Sequence, residues 1–401
     1  MDKNRIISGC DHAIEWGFYV LIVAAAFSTS LVELSAGVVM LGWIFKKLLK
    51  FRFDEFKIPA FFFLGAFVLW SLLSCFDSSY PKESFRGVCK VLEYALLFMS
   101  VALALENKKV CGRFANIMLV AVFIVCVDGF YQYFAGTDFL RGRELIHDDY
   151  MRRVSASLIH PNDFGAYLVV VCMILVSTIL SNWKNIKYRV VAAVVLAMAL
   201  LNLFLTQSRA AWLSFAVAML CYGWVHVRKR FVVFIIAIVG ILIFMPQTAK
   251  DRMVNTMNFK LGTPSWERLK LWQATVSMIK DRPVLGMGVN TYSRNFPKYR
   301  PADYPDVRYA HNSYLQIASE VGIPGVLLFL AFLVSAFYSA FKRSDLFSGY
   351  RTDISYGLLW GLVGFAIASM FDTHMQSVSL VAFFHALLGY CFSLNRRKDV
   401  K

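Results

Sequence analysis

The 401 residues are 58% hydrophobic and include 23 glycines, about 64% apolar in all, against roughly 45–50% for soluble domains on the same count. A soluble fold that apolar would leave greasy surface it cannot cover, so composition excludes a water-soluble enzyme and places most of the chain in lipid. The net charge of +16 sits in short clusters between apolar runs, which reads as membrane topology and excludes a nucleic-acid-binding face; eight cysteines scattered singly suggest neither a disulfide scaffold nor a zinc site.

The first two apolar stretches, 14–27 and 30–45, precede Lys46, Lys47, Lys50 and Arg52. Asp11, His12 and Glu15 near the head of the first, and the lack of a small-residue cleavage site after it, argue against a cleaved signal peptide. Further candidate spans follow at 58–76, 85–105, 112–134, 158–180, 189–206, 210–227 and 230–245, and after a polar interval at 323–341, 354–371 and 376–394. The expected fold is an all-α polytopic membrane protein of about twelve transmembrane helices. It divides into nine helices in 1–245, a loop over 246–322, and three helices with a tail in 323–401. With the amino terminus in the cytoplasm, 23 of the 42 Lys and Arg fall on cytoplasmic connections. The short opposite turns at 28–30 and 372–375 carry none, so both termini are expected in the cytoplasm.

The remaining basic residues are more informative. Eleven Lys and Arg lie in 246–322 against six Asp and Glu, an interval long enough to escape the rule, and Arg141, Arg143, Arg152 and Arg153 lie in the connection 135–157, where the rule does not put them. Positive charge kept on the outer side points to an anionic ligand. Within the loop, Leu269, Trp272, Val276 and Ile279 predict an amphipathic helix over 265–280, ended by Asp281, Arg282 and Pro283. A second helix is expected from near Asn312 to Gly322. Gly286 and Gly288 suit a tight turn, not a nucleotide loop, because no Walker lysine follows.

Several polar residues in this frame are candidates for chemistry. His311, in Ala310–His311–Asn312–Ser313–Tyr314, suits a general base near neutrality, or else caps a helix or lies on the surface. Arg209, between two apolar spans in Gln207–Ser208–Arg209–Ala210, is either functional or an interfacial anchor helped by Trp212. Arg268 and Lys270 open the loop helix, where a guanidinium fork and free backbone donors can hold phosphate. Arg86, Lys90 and Glu93 share one face of their span, as an internal salt-bridge network or as a phosphate-facing stripe. Asp128, Asp163 and His385 lie in or beside apolar spans, and the sequence assigns them no role.

Taken together, the strings Gln207–Ser208–Arg209–Ala210 with Trp212, Trp266–Glu267–Arg268 with Trp272 and Asp281–Arg282–Pro283, and His311–Asn312–Ser313–Tyr314–Leu315, arranged around one large loop, make the chain resemble the O-antigen ligase and polymerase superfamily of bacterial envelope glycosyltransferases. The resemblance implies a GT-C-like fold with a partly helical periplasmic loop between helices 9 and 10, in the bacterial inner membrane. It implies a metal-independent enzyme that needs no cofactor or nucleotide sugar. The donor would be a glycan on undecaprenyl pyrophosphate and the acceptor lipid A-core. By the same resemblance His311 is the catalytic base and Arg209 and Arg268 hold the donor pyrophosphate; Arg86, Lys90 and Lys270, from the residue reading above, are further candidates for donor contact. The single large loop and the short amino-terminal pair look more like a ligase than a polymerase joining lipid-linked repeats. A transporter is the different-class alternative, but the loop follows span nine instead of span six, and no inverted halves are visible.

Overall fold

The computed structural model describes residues 3–105, 108–148, 151–180, 186–226, 263–301, 304–344 and 350–394, with Val232, Ile235, Gly240, Gln247 and Lys250 as isolated positions. Apolar sequence and well-placed prolines build its helices. These are α1 (Lys3–Ala24), α2 (Thr29–Leu49), α3 (Pro59–Phe76), α4 (Pro81–Ala104), α5 (Lys108–Ala135), α6 (Pro161–Leu180), α7 (Ile186–Leu205) and α8 (Arg209–His226). Pro59 and Pro81 stand in first turns, where a missing N–H costs nothing. Between α5 and α6 a short antiparallel hairpin pairs β1 (Ile146–Asp148) with β2 (Met151–Arg153), in the register Ile146 to Arg153. The loop holds α9 (Pro264–Asp281) and α10 (Tyr292–Asn295), and α11 (Ser313–Ser344) leads out of it to α12 (Tyr350–Ala368) and α13 (Val378–Leu394).

The expectation of about twelve spans is corrected. Among the described residues, seven helices are long and apolar enough to cross a membrane: α1, α3, α4, α6, α7, the 110–135 part of α5 and the 313–342 part of α11. The helices expected at 30–45 and 210–227 exist as α2 and α8 but are not among the seven. Both carry polar or charged groups near their ends, Lys46 and Lys47 in α2 and Arg209 and His226 in α8. The apolar stretches at 354–368 and 378–394 are too short, the latter 17 residues, against the ~20 that span a bilayer. The span expected at 230–245, the start of the loop and the tail after 394 lie outside the described residues apart from the isolated positions.

Two helices form the centre. In α6 every residue from Phe164 to Thr178 is buried, and in α13 every residue from Ser379 to Leu394. Helix α6 packs on α12, α7 and α8, and α13 on α4, α12 and α2. Gly357 and Gly361, one turn apart on α12, let its backbone close on α6: a Cβ at Gly361 would lie 2.9 Å from the Val170 carbonyl oxygen. The outer helices instead turn large apolar side chains outward, among them Leu34, Leu41, Phe62, Leu69, Val190 and Val194, as lipid-facing surfaces do.

The loop has a small core of its own. In α9 the buried stripe is Leu271, Ala274, Thr275 and Met278, while Val276 is exposed. The helix expected over 265–280 is therefore present but rotated from the face read in the sequence. It packs on Met287, Tyr292, Phe296 and Ala310 from the rest of the loop, so aromatic residues further along the loop decide which side is inward. Thr263 caps its start by accepting from Trp266 N at 3.3 Å, a contact of about 1 kcal/mol.

The expected break at Gly322 is found inside α11. Gly322 adopts φ 75°, ψ 177° and is followed by Pro324. Proline has no N–H for the Glu320 carbonyl, and Gly288 N donates to it instead at 2.9 Å. Met287 N reaches the Ser319 carbonyl at 2.9 Å, Ile323 N reaches Pro283 O at 2.8 Å, and Trp70 Nε1 reaches Val321 O at 3.0 Å. Backbone groups freed by the break thus bind the loop to α11 and to α3.

Candidate functional site

His311 lies at the end of the loop, one residue before the cap of α11. The capping residue is Asn312, whose Oδ1 accepts from Tyr314 N and Leu315 N at 3.0 Å each, so His311 is not needed as a cap. Its backbone is left-handed, φ 47°, a conformation uncommon outside glycine. Ala310 before it is fixed at both ends: its N–H donates to Gln316 Oε1 at 3.0 Å and its carbonyl accepts from Trp272 Nε1 at 3.1 Å.

The imidazole Nδ1 is 2.9 Å from Asp372 Oδ1. Asp372 also accepts from Thr373 N at 2.8 Å and, through Oδ2, from Asn162 Nδ2 at 2.5 Å. Asn162 Oδ1 accepts from Arg153 Nη2 at 2.7 Å, and Arg153 Nε donates to the Thr206 carbonyl at 3.1 Å. One chain of hydrogen bonds therefore runs from His311 through Asp372, Asn162 and Arg153 to the turn that starts α8 with Arg209. In that turn Gln207 is also left-handed, φ 53°.

Charge is ordered along this chain. Burial opposes ionisation of Asp372, but the His311 hydrogen bond and the charges of His374, His311 and Arg268 outweigh it and hold the carboxyl well below the usual carboxylate range. An ionised carboxylate only accepts, so Nδ1 of His311 carries the proton and Nε2 is the basic nitrogen. The His311 side chain is 42% exposed and that of Asp372 only 10%, so the imidazole is anchored from inside and open on the other side. Nearby, His374 Nδ1 bonds Asp163 Oδ1 at 2.8 Å. Burial works against the charged form of His374, yet Asp163 and Asp372 raise its pKa above the ordinary value. His160 is shifted the other way by burial, and its Nδ1 accepts from Asn162 N at 3.2 Å.

Arg268, half-buried on α9, acts electrostatically on both Asp372 and His374, so two loop candidates share one centre with the α8 turn. Lys270, two residues further along α9, has its Nζ 4.6 Å from the Trp266 ring centroid. Lys90 lines a cavity of about 260 Å³ together with Arg308, Tyr309 and Gln316. Lys90 holds Glu33 at 2.8 Å and Glu93 at 2.9 Å, and Arg86 is exposed, an arrangement that matches the salt-bridge alternative. The three unassigned residues also have partners. Asp128 accepts from Phe139 N and Ser157 Oγ, Asp163 pairs with His374, and His385 sits 2.8 Å from the Val381 carbonyl and stacks on Phe332. Among the described residues no group of three His, Cys, Asp or Glu is placed to hold a metal ion.

Comparison with known proteins addresses the same region. A family model described as O-antigen ligase matches residues 193–330, the stretch that contains Arg209, Arg268 and His311. Similar curated proteins are one named "Putative polysaccharide ligase" in Rickettsia typhi, 26% identical over 302 residues, and one of the same description in Rickettsia prowazekii, 26% identical over 294. Each alignment covers 70% of this chain and 67% of the relative. The family model and the two relatives together support membership in the O-antigen ligase superfamily.

The residues that sequence reasoning missed lie outside the matched stretch. Asp372 and Asn162 are 210 residues apart, and no spacing rule links them. The available signal was the polar run Asp372–Thr373–His374 between two apolar segments, the same kind of signal that singled out Arg209. Arg153 was read only as one of four basic residues in its connection, and the fold separates it from the others by burying it.

Proposed function

We propose that the chain is an O-antigen ligase that transfers a glycan from undecaprenyl pyrophosphate to a sugar hydroxyl of lipid A-core, on the periplasmic face of the bacterial inner membrane. The observation that carries this reading is the buried Asp372 carboxylate bonded to Nδ1 of His311, which leaves Nε2 as an oriented base beside Arg268. The acceptor oxygen attacks the anomeric carbon of the donor and its proton passes to His311 Nε2. The bond from that carbon to the pyrophosphate oxygen breaks, and the electron pair leaves with the phosphate. Arg209 and Arg268 bind the charge that develops on the leaving group. A direct displacement of this kind inverts the anomeric centre. Arg86, Lys90 and Lys270 are additional donor contacts in this reading.

In this reading residues 246–322 cover the periplasmic side, the flanking segments 1–245 and 323–401 hold the membrane part, and both termini are cytoplasmic. The decisive experiment reconstitutes the purified chain with a polyprenyl-pyrophosphate glycan and two acceptors, core lipid and a second lipid-linked repeat, and analyses the reducing end of the product. Glycan joined to core lipid is the expected result. Product extended only on the second repeat makes the chain a polymerase.

A further inference from the structure

Arg141, Arg143 and Arg308 line one cavity of about 190 Å³, formed where the hairpin connection and the loop meet the turn at 25–29 and the start of α13. None of the three forms a salt bridge with a described carboxylate. Asp138 is near Arg143, but its oxygens are taken by backbone N–H groups of Leu140, Arg141 and Arg143 at 2.6–3.1 Å. Asp163, the carboxylate on the lining, is engaged by His374. Ser157 on the same wall gives its hydroxyl proton to Asp128. Three arginines therefore line one space whose lining includes a single described carboxylate, and burial together with Arg141 opposes the charge on Arg143 while Asp138 favours it. Such crowding is unfavourable unless an anion neutralises it.

The cavity is separate from Arg209 and Arg268, which do not line it. It adjoins the catalytic chain, however: Asp163 connects it to His374, two residues from Asp372, and Arg308 is three residues before His311. A molecule with an anionic group in this cavity can present a neighbouring hydroxyl to His311 while the donor keeps its own pyrophosphate site.

We propose that Arg141, Arg143 and Arg308 form a second anion site that binds a phosphomonoester on the acceptor glycolipid and so selects phosphorylated acceptors. This rests on the transfer reaction above for its purpose, but binding alone tests it. The full chain in neutral-lipid nanodiscs is titrated with a phosphorylated acceptor glycolipid and with the same glycolipid after phosphatase treatment. The expected wild-type preference for the phosphorylated form is about tenfold or more, the scale of one or two charge-assisted hydrogen bonds. Arg308→Gln, on an exposed loop position, reduces the preference, and the triple Arg141→Gln, Arg143→Gln, Arg308→Gln variant abolishes it without changing donor binding. Equal wild-type binding of the two glycolipids overturns the proposal, as does a preference that survives in a folded triple variant. Inorganic phosphate and phosphatidic acid vesicles distinguish the source of the phosphate. Competition by either at the concentration effective for the glycolipid makes this a general phosphate or phospholipid site and overturns the acceptor assignment. In the transfer assay the triple variant raises acceptor KM and leaves donor KM unchanged. Loss of transfer to every acceptor by wild type counts against the ligase reading alone, because the binding comparison still decides the site.

Discussion

Arg153 and the group Arg141, Arg143 and Arg308 lie in connected parts of the same face, yet they are handled in opposite ways. Arg153 is buried, and its guanidinium donates to Asn162 and to the Thr206 carbonyl. The other three are at least partly exposed, line a cavity and have no salt-bridge partner among the described carboxylates. The difference teaches how to read cations in a membrane protein: a buried arginine supplied with acceptors fixes geometry, whereas a set without acceptors is arranged for something that arrives later.

The sharpest way to break the buried chain is at its His311 end. His311→Gln is expected to lower single-turnover transfer by roughly 10² or more, because an amide cannot accept the proton. Asp372→Asn should give a loss of similar order, since an amide N–H facing Nδ1 reverses the tautomer. Combining the two should add little to either. Single-turnover rates with bound donor counted separately check this; wild-type speed in the Gln protein removes His311 from the base role.

Arg209→Lys comes next. A point charge replaces a two-pronged contact, and turnover at subsaturating donor should fall about tenfold. Unchanged turnover at equal membrane abundance would make Arg209 an interfacial anchor.

Arg153→Met should act on stability more than on chemistry. It leaves Asn162 Oδ1 and the Thr206 carbonyl without their donor, at about 1–3 kcal/mol, read as a lower unfolding midpoint in detergent. The corresponding change at Arg308 should leave that midpoint in place, and this contrast tests the comparison directly.

The smallest effect is on the pH dependence of stability. His374 has a raised pKa in the fold, so its contribution is complete below its unfolded value of ~6.5 and is lost as pH rises through the folded value. His160 has a lowered pKa, so its contribution is present above ~6.5 and lost as pH falls through the folded value. Thermal midpoints across this range should show His374→Gln flattening the alkaline side and His160→Gln the acid side. Identical curves for both variants would mean that neither pairing is coupled to folding.

The long apolar runs and their approximate ends were legible in the sequence, because a helix facing lipid must be apolar over its whole length. The number able to span was not legible. Helix α13 is wrapped by protein along nearly its entire length, so its 17 residues answer to neighbouring helices and not to bilayer thickness. The face of α9 was misread for a related reason: its partners are Tyr292 and Phe296, which no periodicity within the helix reveals. His311, Arg209 and Arg268 could be found one at a time, since each is conspicuous in its own string. Asp372, Asn162 and Arg153 become meaningful only when α6, the hairpin and the turn before α13 are brought together, and that is long-range information.

The enclosure of α6 also bears on the order in which the protein is made. Its closest partner, α12, begins at Tyr350, long after α6 ends at Leu180. During synthesis α6 must therefore wait in the bilayer with a surface that will later belong to α12. Its mean hydropathy of 2.2 over the spanning window allows that delay, because lipid tails serve as a temporary neighbour for an apolar helix. Only once α12 has been made can its glycines close on α6. A polar substitution in the middle of α6 would expose its defect during this interval, so its effect on the amount of protein in the membrane should exceed what packing in the finished fold alone suggests.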